Sequence, residues 1–202
     1  MPARLVSDEL IKGLHQSFRG VSRAAGVSLH ETEVLDRHGS AGERTAARER
    51  DKDQRWEDVL ELDLESVQGI GGPAFMDATS VKYYTPAYLR YWLRCREKRV
   101  TTQIMDSFVS ILLRDVDSVA LSSSLFNAEQ GVAIALCLYK LAVEYQEQEA
   151  RRALAIGFHH YLPSHLKTKK WAKIRAAFLD YEYNSMDLYR KRLKDPWRLR
   201  KD

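Results

Sequence analysis

Six ring-bearing side chains crowd the segment from Phe75 to Cys95, FMDATSVKYYTPAYLRYWLRC, around a single proline. Thr85 has a side-chain oxygen suited to capping free helical N–H groups, and Pro86 suits a first helical position, where no amide donor is needed. From there Leu89, Trp92 and Leu93 fall on one stripe, with Tyr88, Tyr91 and Cys95 beside it. Arg90 and Arg94 form a separate polar line at four-residue spacing. The spacing predicts a heavily packed helix opening at Thr85, built for burial and not for catalysis. Val81, Tyr83 and Tyr84 are strand-like in composition but have no clear second strand to pair with. The segment before Thr85 therefore reads as loop or short helix.

The rest of the chain repeats the helical period. Leu10, Ile11, Leu14 and Phe18 predict a first helix from about Asp8 to Arg19. Ser28 caps a second helix that stops near Gly39, and Glu43 to Arg55 is a charged stretch with little to bury. Trp56, Val59, Leu62 and Leu64 return to the core before Gly69, Gly71, Gly72 and Pro73 impose a turn. Ile104, Phe108, Ile111 and Leu112 mark another amphipathic helix, and Ser122 to Ser124 end that region. Asn127 and Gln130 form a capping box, opening a helix apolar on most of its circumference, as central helices are. Ala150, Leu154 and Phe158 continue its pattern until Pro163 breaks it. Trp171, Ile174 and Phe178 line a last helix. The expected fold is all-α: a multi-helix domain of about seven to nine helices with little or no sheet. Residues 1–145 form the body, and 146–202 form a helical extension packed on it that ends in a basic tail.

Composition narrows the function classes. With 202 residues, 45% of them apolar, the chain can bury a sizeable core. Its net charge of +4 is unevenly spread. From His30 to Glu65, twelve acidic residues stand against six Lys or Arg, whereas from Lys167 to Asp202 twelve basic residues stand against five acidic. Cys95 and Cys137 both fall in predicted helices among apolar neighbours and read as buried thiols of a reducing compartment. Asp8 and Glu9 precede any apolar run, unlike a signal peptide, and the run from Val132 to Tyr139 is far short of the ~20 residues that cross a bilayer. The expected setting is cytoplasmic, without membrane contact.

No phosphate loop, dinucleotide fingerprint, HExxH or CxxC occurs. His159 and His160 project about 100° apart on a helix and cannot easily share a metal, so they read as a helix-end pair facing water. No metal and no cofactor is expected. Asp51, Asp53, Glu57 and Asp58 surround Trp56, but interleaved Lys52 and Arg55 favour a charged helix surface over acid–base work. If a small-molecule site exists, its lining is Tyr83, Tyr84, Tyr88 and Arg90 with Asp51, Asp53 or Trp56. If nucleic acid is bound, Lys169, Lys170, Lys173, Arg190, Lys191 and Arg192 are the candidate contacts, interleaved with aromatics that could stack on bases.

Phe18, Gly20, Val21, Leu29, Glu31 and Asp36, then Ala47-Arg48, Asp51 and Trp56-Glu57-Asp58-Val59, resemble a family of small uncharacterised bacterial proteins. Tyr84-Thr85-Pro86-Ala87-Tyr88 is similar to that family's tyrosine-leucine-proline-alanine-tyrosine motif, with Thr85 in place of leucine. Phe126, Glu129 and Gln130 resemble its later helix start. The resemblance runs from about Leu10 to Tyr145 and implies a domain of unknown function with no catalytic residue to carry over. The leading expectation is a non-enzymatic interaction protein, adaptor or immunity-type. It would meet an unknown protein partner through the acidic Glu43–Glu65 segment or the basic tail.

Overall fold

The computed structural model describes residues 5–52, 54–67, 72–100, 102, 104–113 and 125–180; among these every regular element is helical and no strand occurs. In chain order they are α1 (Ser7–Ser17), α2 (Leu29–Asp36), α3 (Ala41–Arg50), α4 (Glu61–Ser66), α5 (Ala78–Glu97), α6 (Ile104–Leu112), α7 (Ala128–Val143), α8 (Gln148–Ala153) and α9 (169–180). Short 3-10 turns at Trp56–Asp58, Pro73–Phe75, His159–Tyr161 and Ser164–Leu166 join them. Two of the predicted starts carry full capping boxes. Ser28 Oγ accepts from the Glu31 N–H while the Glu31 side chain accepts from Ser28, and Asn127 with Gln130 does the same for α7.

Helix α5 begins eight residues before the predicted start. Its cap is Asp77, whose carboxylate accepts from the Ser80 N–H at 2.8 Å, and Pro86 lies inside a 20-residue helix. Asp77 offers the same first-turn chemistry as Thr85, and the packing of Val81 and Tyr84 holds the chain helical before the proline. Pro86 leaves the i−4 carbonyl without its N–H donor. One residue earlier, Thr85 Oγ1 donates back to the Val81 carbonyl at 2.6 Å, so the hydroxyl acts within the helix and not as a cap. The expected polar line also divides: Arg94 is exposed, but Arg90 is buried.

Helices α5 and α7 form the centre. Every side chain from Tyr83 to Leu93 is buried, and α7 packs against α1, α5 and α8. Tyr88 stacks on Phe108 of α6 with centroids 4.7 Å apart. The helical run after Asn127 does not continue to Pro163. It stops at Val143, Gln146 turns into the left-handed region (φ 61°), and the Glu147 N–H reaches back to the Leu141 carbonyl at 3.0 Å. A wide π-type turn, Leu154–Phe158, follows α8. Ala150, Leu154, Phe158, Leu166 and Trp171 join the same core cluster as Trp56 and Trp92. Both cysteines are free and buried, and burial pushes both thiols up. No described helix is long and apolar enough to cross a membrane.

Candidate functional site

The loop after α1 carries the first wall of a cleft. Gly20 adopts φ +74°, a conformation that favours glycine, and Ala24 adopts φ 48° with its N–H held by Ser22 Oγ at 3.0 Å. Gly26 then passes so close to α5 that an added Cβ would lie 2.7 Å from Ser80 Oγ. Between these glycines Arg23 turns inward, 8% exposed, donating to the carbonyls of Gly26 (2.9 Å) and Asp51 (3.0 Å).

The segment after α3 is the facing wall. Asp51 is 2% exposed and accepts from the His30 N–H at 2.9 Å and from His30 Nδ1 at 2.6 Å, tying α2 to the end of α3. Trp56 is buried, donates from Nε1 to the Phe18 carbonyl at 3.2 Å, stacks against His15 at 4.8 Å and lies under the Arg90 guanidinium. Arg90 donates to the Glu57 and Val59 carbonyls, 2.7 Å each, and so clamps this segment onto α5. Tyr83 donates its hydroxyl to the Gln54 carbonyl, and burial pushes its pKa up to about 12, so it stays protonated at neutral pH.

Between the walls lies a half-open cleft of about 470 Å³ lined by Arg19, Arg23, Lys52 and Arg55, with Gln54, Glu57, Tyr83 and the rest of the Gly20–Ala24 loop. Of the sequence-nominated lining, only Tyr83 borders it. Tyr84, Arg90, Asp51 and Trp56 are buried side chains that hold the walls together, Tyr88 is buried against Phe108 of α6, and Asp53 lies outside the described residues. The leading expectation for Asp51, a charged surface, is corrected: its partner His30 stands 21 positions away, and no local pattern announced the pair. Arg19, Arg23 and Gln54 were likewise missed, because the cleft is assembled from three separated segments. No group of three or more His, Cys, Asp or Glu placed to hold a metal occurs among the described residues.

A second surface lies around the start of α9. Trp171 is buried as its stripe implies, its N–H accepted by Thr168 Oγ1 and its Nε1 donating to His159 Nδ1 at 3.1 Å. His159 is therefore partly buried, not water-facing; burial, then Arg175 and Lys167, hold its pKa down and keep the accepting nitrogen free. His160 is exposed. Around them Lys167, Lys169, Lys170 and Lys173 stand exposed, with Arg175 half-buried. No Asp or Glu occurs between Glu149 and Asp180, and none of these five cations has a carboxylate partner among the described residues. Arg190, Lys191 and Arg192 lie outside the described residues.

The acidic segment is partly paired within the fold. Glu31 is held by Arg44 and Arg48, Glu43 by Arg37, Glu49 by Lys52, Asp58 by Arg55, and Glu61 by both Arg94 and Lys98. Glu33, Asp36, Glu57, Asp63 and Glu65 form no ion pair with Lys or Arg among the described residues, and of the pairing cations only Arg94 and Lys98 come from outside the segment.

Comparison with protein families places residues 6–156 in one model, described as a family of unknown function, DUF6714. The chain belongs to this family. The match extends beyond both ends of the resemblance seen in the sequence and stops within the π-type turn. The DUF6714 region thus contains the whole cleft, whereas the cationic surface around α9 follows it. Comparisons with curated proteins and with solved structures return no match.

Proposed function

We propose that this protein is a non-enzymatic interaction protein whose partner-facing surface is the cationic face of residues 159–175, and that its partner is a protein presenting an acidic surface. One observation carries the reading: five neighbouring cations lack a carboxylate partner among the described residues, while in the 30–65 segment Glu31, Glu43, Glu49, Asp58 and Glu61 are ion-paired with Lys or Arg. Unpaired like charges repel one another, and an oppositely charged partner relieves that repulsion and speeds encounter. Trp171, the aromatic that opens α9 among these lysines, is buried and cannot stack on bases, which favours an acidic protein over single-stranded nucleic acid. Two buried free thiols suit a reducing, cytoplasmic setting.

The test is affinity capture from the native cell with the wild-type chain and with Lys169→Glu/Lys170→Glu/Lys173→Glu, followed by mass spectrometry and reconstitution of the pair. A stoichiometric acidic partner held at low salt and lost in the triple variant supports the reading. Equal retention by the variant contradicts it, and so does nuclease-sensitive capture, which would make nucleic acid the partner.

A further inference from the structure

We propose that the cleft between the Arg19–Ala24 loop and the wall of Lys52, Gln54, Arg55 and Glu57 binds the phosphate group of a small phosphomonoester. It shares no residue with the cationic face around α9, so this inference stands apart from the partner reading.

Among the described residues, four cations and one carboxylate, Glu57, line the cleft. Arg23 is the fixed member. More than nine-tenths buried, it is held by two backbone carbonyls, and neither bond places a carboxylate on its guanidinium. Those two bonds use only part of a guanidinium's donor capacity, which suits it to receive an anion from the open side. Lys52 and Arg55 carry counter-ions, Glu49 at 3.1 Å and Asp58 at 2.8 Å, but both pairs are exposed on each side. Exposed pairs of this kind hold weakly and exchange readily. A doubly charged ligand would replace both counter-ions at once, which a monoanion cannot do.

The cations approach from two walls, Arg19 and Arg23 from one and Lys52 and Arg55 from the other. That geometry suits a tetrahedral group with several acceptor oxygens better than a planar carboxylate, which one guanidinium fork satisfies. Glu57 remains as an acceptor for hydroxyls on the body of the ester. Gln54 adds a polar wall whose amide oxygen is buried without a partner. About 470 Å³ is room for a small metabolite and not for a polymer.

Calorimetric titration and thermal melting of the full chain test this, with glycerol 3-phosphate as probe, malonate as the dicarboxylate control and acetate as the monoanion, all at fixed ionic strength. The expected result is saturable binding and a rise in melting temperature with glycerol 3-phosphate, weakening below about pH 6 as the phosphate becomes singly charged. Arg19→Glu/Lys52→Glu alters two exposed side chains. It should leave the unliganded melting temperature in place while weakening binding roughly tenfold or more. Stronger binding of malonate than of glycerol 3-phosphate would overturn the phosphate assignment. A flat wild-type titration, or undiminished binding by the double variant, would overturn the site.

Discussion

Trp92 and Tyr88 lie one turn apart on α5 with no exposed surface. Trp92 fills the core with the largest ring a protein has, and its removal leaves a void that the surrounding helices cannot close. Trp92→Ala should therefore cost about 3–5 kcal/mol, read as a lower urea midpoint. A total stability of about 5–15 kcal/mol makes that a severe loss, and an unchanged midpoint would mean the ring is not packed as described. Tyr88 makes the converse prediction. Its hydroxyl is buried with no hydrogen-bond partner among the described residues, and burial pushes its pKa far up. An unsatisfied buried hydroxyl destabilises, so Tyr88→Phe should leave stability unchanged or raise it by about 1 kcal/mol. A clear drop in melting temperature would reveal a bond to that hydroxyl and reopen a functional role for the aromatic block.

Pairs of helices are held by charges as well as by rings. Glu31 on α2 is 1% exposed yet receives Arg44 and Arg48 of α3, at distances down to 2.9 Å, plus the Ser28 N–H. Burial, the largest influence, would raise its pKa, but the donors of Arg48, Ser28 and Arg44 together outweigh it and the net shift is downward. A carboxyl whose folded pKa is depressed binds fewer protons than in the unfolded chain. Its stabilisation is complete above the ordinary value of 4.5 and is lost as pH falls through the folded one. Glu31→Gln should cost about 1–3 kcal/mol at neutral pH and flatten the acid limb of a stability–pH curve. An acid limb as steep as in the wild type would assign it to other carboxylates. Ser28 and Asn127 could be recognised in the chain because a capping box is written within four residues. The start of α5 could not, since Asp77 and Thr85 both carry cap chemistry. Only tertiary burial of the turns between them decides for Asp77, with Pro86 accommodated inside.

At the scale of the whole molecule, the helical architecture and most core stripes were legible in the periodicity, because burial of one face repeats every few residues. Leu62, expected in the core, is instead 70% exposed. The cleft was not legible. Arg23, Gln54 and Tyr83 come from segments far apart in the chain, and nothing local distinguishes an arginine that turns inward from one in water. The charge asymmetry was visible as a count, but the count could not tell which charges find partners. Arg94 and Lys98 cross over to Glu61, whereas Lys169, Lys170 and Lys173 meet no carboxylate among the described residues. Because those three side chains are exposed, reversing their charge should leave stability within about 0.5 kcal/mol while abolishing partner binding. Hydrogen–deuterium exchange of the chain alone and with its captured partner tests the central claim most directly. The account predicts added protection across 159–175 and little change in 30–65. Protection confined to 30–65, with 159–175 exchanging as in the free chain, would contradict it.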